Sequence, residues 1–307
     1  MEAFIHWLSS PQFTTLVVNT FEQGFLFGFL GLGVLITFRF FRFPDLTAEG
    51  SYPLGGAVAA TLLVTNVNSF LATTLAVLAG TVAGVITGII HTKFKINNII
   101  SGIIVTTAIY SINLRVMGRA NTPLLNTPSV FGDTINWLAN VGLRMQESDI
   151  TDIAFLFVLL TLVGLALVAF LKTDLGLAVR ATGENEAMIR SLGVNTDNTK
   201  ILGLAISNGT IALSGALVAQ NHGFADIGMG IGVLVTGAAA VMIGEAIFGD
   251  RSIERWVLAA IIGTVVYRLL VAVALRIGLD PNDLKMITAV LLLIALAVPR
   301  FRRSVGG

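Results

Sequence analysis

Four ionisable residues, Glu22, Glu49, Glu245 and Arg268, stand within or at the ends of long apolar stretches of this 307-residue sequence. A charge in such a setting is costly and is retained where it pairs, lines a water-filled path or meets a charged solute. Glu22 and Arg268 each lie about eight residues from the same end of their stretches. Equal depth allows an ion pair between them, and it equally allows either residue to face a solute path; the residues alone leave both open. Glu245 is placed to pair with Arg251 or Arg255 and to contribute to an inner gate. Covalent chemistry has little to work with. His6, His91 and His222 fall at stretch ends or outside them, with no H-E-x-x-H pattern and no Ser–His or paired-Asp arrangement. There is no Cys and no G-x-x-x-x-G-K-[ST] nucleotide loop, and Gly228, Gly230 and Gly232 lack the strand–loop–helix context of one. No catalytic residue, metal site or cofactor is expected in this chain.

The elements that position these charges follow from composition. The chain is 55% hydrophobic and 12% charged, with a mean hydropathy of +0.86, against about 25% charged residues in soluble domains. So few charges cannot solvate a globular surface, but they suit one facing lipid. Apolar stretches fall at about 13–38, 52–65, 70–90, 98–118, 152–171, 201–220, 231–248, 256–276 and 284–299. The expectation is an all-α polytopic membrane bundle of about nine spans, one transmembrane domain over residues 1–307. Residues 1–10 lack the features of a cleavable signal peptide, so the first span is expected to be retained. With the C-terminus in the cytoplasm, 13 of the 19 basic residues fall inside, 5 outside and only Arg268 well within a span. That bias predicts an N-out, C-in orientation.

Residues 43–51 are polar for a membrane segment, with Asp45, Thr47, Glu49 and Ser51. The following helix, about 52–65, would rise only ~21 Å, short of the ~30 Å hydrocarbon core. It is therefore expected to begin inside the membrane, with Pro53 in its first turn and Asp45, Thr47 or Ser51 as its cap. A second segment echoes it. Phe43, Asp45, Gly56, Ala57 and Ala59 line up with Phe224, Asp226, Gly237, Ala238 and Ala240 at a constant offset of 181. Half-helices entering from opposite faces are what an inverted repeat produces, and they point to a pathway; coincidence in alanine-rich sequence is the plain alternative. Candidate pathway residues are accordingly Asp45, Thr47, Glu49, Ser51, Asp226, Arg268 and Glu22.

Two loops stand out. Residues 119–151, placed outside the membrane, carry a weakly amphipathic run around 135–145 and read either as a connection or as a docking surface holding a short surface helix. Gly80, Gly84 and Gly88, like Gly24 and Gly28, recur every four residues and mark faces of close helix packing. The other loop, residues 172–200, is cytoplasmic and helical in period: Leu177, Ala181, Met188, Ile189 and Leu192 are apolar, whereas Arg180, Glu184, Glu186 and Arg190 are polar. Gly183 interrupts it and Gly193 can end it. It reads as one or two short helices at the membrane surface, either a plain interfacial element or a docking site for a cytosolic motor.

Here the sequence resembles the permeases of the branched-chain amino-acid and ribose/nucleoside class of ABC importers. The resemblance rests on Gly176, Arg180, Ala181, Gly183, Asn185, Ala187, Leu192, Gly193, Val194 and Asn195, followed by Ala212, Ser214 and Gly215. It extends to residues 43–60 and to residues 237–252, where Glu245 departs from a usual pair of glycines. The wording from 45 to 51 is most similar to the tryptophan/tyrosine-type branch. The resemblance implies a permease subunit of an ATP-driven importer of amino acids, aromatic or branched-chain, or of a related small solute, working by alternating access in a bacterial-type cytoplasmic membrane. It implies a coupling segment built on Gly176, Arg180, Ala181, Gly183, Glu184, Asn185, Ala187, Arg190 and Gly193. Its partners would be a cytosolic ATP-binding subunit holding ATP and Mg, a second permease copy and an extracytoplasmic substrate-binding protein, with no nucleic acid. An importer of sugars or nucleosides and an ion-coupled secondary transporter are the competing readings.

Overall fold

In lipid the backbone must satisfy its own hydrogen bonds, so apolar stretches of this length become helices. A computed structural model describes residues 11–140, 149–249, 252–280, 283–290 and 292–293. Helix α1 (Pro11–Leu35) runs into a π-helical turn (Ile36–Phe40) and then breaks. There follow α2 (Ala48–Val64), α3 (Ser69–Lys93), α4 (Asn98–Met117), strand β1 (Asn121–Pro123) and α5 (Val130–Asn140). Next come α6 (Asp149–Lys172), α7 (Asp174–Glu184), α8 (Glu186–Ser191) and α9 (Thr196–His222). Strand β2 (Phe224–Asp226), a 3-10 turn (Ile227–Gly230), α10 (Val233–Phe248) and α11 (Ile253–Arg276) complete the labelled elements.

Seven helical segments among the described residues are long and apolar enough to cross a membrane. The all-α polytopic class is therefore as expected. Of the nine predicted stretches, 52–65 corresponds to the 17-residue α2, and 284–299 is described only at 284–290 and 292–293. Helix starts are fixed by side chains that accept otherwise orphaned N–H groups. Asn68 caps Phe70 and Leu71, Asn97 caps Ile99, and Asn195 caps Asp197 and Asn198.

Helix α9 is the axis of the bundle and packs along α3, α2 and α1. The expected glycine face is real: a Cβ on Gly80 would lie 2.6 Å from Asn208 O and one on Gly88 2.8 Å from Ile201 Cα, while Gly84 presses on the Leu204 carbonyl. Only glycine lets α3 approach α9 this closely. Gly24 and Gly28 serve different neighbours, Val265 of α11 and Leu160 of α6. Helices α4 and α6 lie outermost, with Ile103, Ile104, Phe157, Leu162 and Leu165 exposed toward lipid.

Two details correct the sequence reading. Helix α2 begins at Ala48 rather than near residue 52, because Asp45 Oδ1 accepts the Thr47 N–H at 2.9 Å and starts the turn early. Pro53 is thus interior to α2, not in its first turn, and cannot bond back to the Glu49 carbonyl; Gly230 packs against that carbonyl and the proline ring instead. The second detail is a short antiparallel pairing, Asn121 opposite Asp226, Thr122 opposite Ala225 and Pro123 opposite Phe224, which no periodicity announces. The surface helix expected in residues 119–151 forms as α5, five residues earlier than its run suggests; residues 141–148 lie outside the described part.

Candidate functional site

The segment from α7 to the start of α9 is built from short caps and one charge cluster. Thr173 Oγ1 accepts the Gly176 N–H at 3.2 Å to begin α7. Asn185, in extended conformation, ends α7, and its Oδ1 accepts the Met188 N–H at 3.0 Å to begin α8. Gly193, at φ 87°, then turns the chain toward α9. Gly183 lies against the Phe40 carbonyl and Gly176 against that of Phe170, so α7 is seated directly on the ends of α1 and α6. Arg42 pairs with Glu184 at 3.0 Å.

Glu186 is the hub of the cluster. Lys200 Nζ reaches it at 2.7 Å, Arg190 at 3.1 Å and Thr196 Oγ1 at 3.2 Å; Arg190 also bonds Asp197 at 3.0 Å. Burial alone would push the Glu186 carboxyl up, but Lys200, Thr196 and Arg190 outweigh it and hold the group below the usual carboxylate range. A hydrogen bond between Thr182 Oγ1 and Thr199 Oγ1 at 2.9 Å adds a second tie between the two short helices and α9. Arg180 and Ala181 are half-buried, whereas Ala187, Leu175, Leu177, Met188 and Leu192 are exposed. Lys200 and Thr196 are not among the coupling residues expected from sequence, and Glu186 enters there only as part of the polar face, although the Glu186–Arg190 spacing is that of a helical ion pair.

Inside the bundle, the break before α2 is held by α9. Asn208 Nδ2 donates to Asp45 Oδ2 at 2.7 Å, and Ser51 Oγ donates to Asn208 Oδ1 at 2.7 Å. Thr47 Oγ1 meets Thr87 Oγ1 at 2.8 Å. Asp45, Thr47 and Ser51 are all fully buried, so of the pathway candidates these three are brought together as a closed network. Asn208 and Thr87 were missed; a lone amide midway along an apolar span is the signal that could have flagged the first.

Asp226 repeats the pattern of Asp45, its Oδ1 accepting the N–H two residues on, that of Gly228, at 2.8 Å. Glu49 links the two broken starts. Its Oε1 accepts the N–H of Gly232, the residue that opens α10, at 3.2 Å. Glu49 also lines a cavity of about 160 Å³ with Tyr110 and the buried Asn113, whose amide has no hydrogen-bond partner among the described residues.

The ion pair between Glu22 and Arg268 does not form. Glu22 accepts from Asn221 Nδ2 at 2.5 Å. Arg268 instead places its guanidinium carbon 3.5 Å from the centroid of the Phe27 ring. Depth is matched but direction is not: Gly24 marks the face of α1 turned to α11, and Glu22, two residues away, points ~200° around the helix toward α9. Glu245 meets Arg39 at 3.5 Å, and Arg39 also lies over Trp256 at 4.9 Å. The expected contact of Glu245 with Arg251 falls on a residue outside the described part. Lys172 and Glu254 form an ion pair that joins the α6 and α11 ends nearest the α7–α8 segment. A cleft of about 600 Å³ opens between α1 and α11 at the other end, lined by Asn19, Thr20, Gln23, Arg268 and Arg276 among others.

The sequence profile described as "Branched-chain amino acid transport system / permease component" matches residues 16–297. A tyrosine transport system permease protein of Clostridioides difficile is 40% identical over 281 residues, 92% of this chain and 90% of its own. A ribose import permease of Haemophilus influenzae is 26% identical over 65% of this chain and 59% of its own. Among solved structures, PsaBC from Streptococcus pneumoniae in complex with a Fab has the same fold at a TM-score of 0.54 and 13% identity, covering 96% of this chain and 95% of that one. Apolar spans, a capped α7–α8 segment and this match from residue 16 to 297 agree, and the chain belongs to the branched-chain amino acid transport system permease family, multi-pass proteins of the cytoplasmic membrane.

Proposed function

We propose that this chain forms the membrane path of an ATP-driven importer of amino acids, with aromatic amino acids the first class to test. The carrying observation is the α7–α8 segment: it exposes Leu175, Leu177, Met188 and Leu192 at one end of the bundle while Glu186 ties it to α9. Exposed apolar side chains on a rigid two-helix platform suit a protein partner better than water. A cytosolic ATPase docked there would move α9, and α9 is bonded to the break before α2 through Asn208. The drive thus has a continuous mechanical route to the two broken helix starts, which Glu49 joins.

The tyrosine transport relative supports the substrate class, and the ribose import relative supports sugar as the competing cargo. A second permease copy and an extracytoplasmic binding protein complete the assembly in this reading, with the cytoplasm on the α7–α8 side. The shared turns at a 181-residue offset, in which Asp45 and Asp226 each accept the N–H two residues on, support an inverted repeat. Proteoliposomes containing the chain, its ATPase and its binding protein should accumulate labelled L-tyrosine in an ATP-dependent manner. Accumulation of ribose and of no amino acid would reject the substrate class, and accumulation without ATP would reject the drive.

A further inference from the structure

The cleft between α1 and α11 holds a cation that neither the coupling segment nor the broken helix starts use. Arg268 makes no hydrogen bond or ion pair among the described residues, and its Nε is buried. Its guanidinium is seated on the Phe27 ring. A planar guanidinium held by its face keeps its edge donors free, the fork that matches a carboxylate. Beside it lies the fully buried Tyr52, its ring 6.0 Å from that of Phe27. Asn19, Thr20 and Gln23 add neutral polar groups, Arg276 adds a second cation, and none of the described lining residues is Asp or Glu. Its volume of about 600 Å³ lies within the usual range of small-molecule pockets.

We infer that this cleft is a binding station for the carboxylate of the transported amino acid, with Arg268 taking the carboxylate on its free edge and Phe27 fixing the guanidinium plane. The inference rests on the importer reading above and deepens it. A lipid phosphate carries similar charge, but Arg268 lies eight residues, about 12 Å of helix rise, inside the Arg276 end of α11. That is deeper than a headgroup sits, so a mobile solute is the better occupant.

The test uses the full complex in proteoliposomes with labelled L-tyrosine and compares wild type, Arg268→Met and Arg268→Lys. Arg268→Met is expected to lower uptake about tenfold or more while the chain still assembles with its ATPase. Arg268→Lys, which keeps the charge and loses the fork, should recover part of the uptake with a raised KM; this guards against a mere folding defect in the first variant. Both effects should persist in vesicles of phosphatidylcholine alone. Equal uptake by wild type and Arg268→Met overturns the carboxylate station and leaves the importer standing. Wild-type uptake that falls to the Arg268→Met level when anionic lipid is removed overturns it in favour of a lipid headgroup. A wild-type complex that carries ribose and no amino acid removes the reading on which the inference rests.

Discussion

Asn208 donates from Nδ2 to Asp45 Oδ2 at 2.7 Å, joining the middle of α9 to the non-helical segment that follows α1. Both residues are fully buried, and the Asn208 carbonyl is taken up by Ser51. Non-helical backbone at this depth survives only when protein satisfies it, and this pair supplies that satisfaction. Replacing Asn208 with Leu strips a buried carboxyl group of its side-chain donor. A loss of about 2–3 kcal/mol is expected, read as a lower thermal midpoint of the detergent-solubilised protein. Asp45→Asn should cost less, since its amide oxygen can still accept from Thr47.

Gly84 presses on the Leu204 carbonyl. Gly84→Leu should force α3 away from α9 and lower expression and thermal stability by about 1–3 kcal/mol. The same replacement at exposed Ala187 should leave the thermal midpoint unchanged, because nothing packs there so tightly.

Met188 and Leu192 are 57% and 67% exposed. Met188→Glu with Leu192→Asp should therefore preserve the monomer's thermal midpoint while reducing copurification with the ATPase about tenfold or more, as loss of apolar interface anchors does. Retained copurification would place the motor elsewhere.

Glu186 gives the coupling segment a pH dependence with a definite sign. Its carboxyl is held below the ordinary value of 4.5 in the folded protein. Its contribution is therefore fully present above that value and is lost as pH falls through the lower, folded one. Because the side chain is 40% exposed, that contribution is no more than about 1 kcal/mol. Wild type should be more stable than Glu186→Gln near neutral pH, and the two thermal midpoints should converge as the pH drops below 4.5. A constant difference across the titration would disconnect Glu186 from the effect.

Much of this was legible in the residues themselves. Apolar run lengths, the side on which basic residues gather and the glycines at 80, 84 and 88 announced the spans and one packed face. The helical period of residues 172–200 announced α7 and α8, because capping and amphipathic spacing are local. The broken start at 45–51 was visible as polarity where lipid would forbid it, although its helix begins four residues early, after a turn in which Asp45 accepts the Thr47 N–H.

Other features depended on how each helix is rotated about its axis, and no local pattern records that. Depth along two spans suggested Glu22 opposite Arg268, yet rotation gave Glu22 to Asn221 and Arg268 to Phe27. Glu245 meets Arg39 of the π-helical turn, a residue some two hundred positions away that no local pattern points to. Composition, period and charge placement thus determined by themselves that the chain is a helical membrane bundle with a structured polar segment, since lipid dictates both helix and span length. Only the tertiary structure decided which charges meet, because in-plane rotation is set by packing at positions such as Gly24 and Gly84 on helices far apart in sequence.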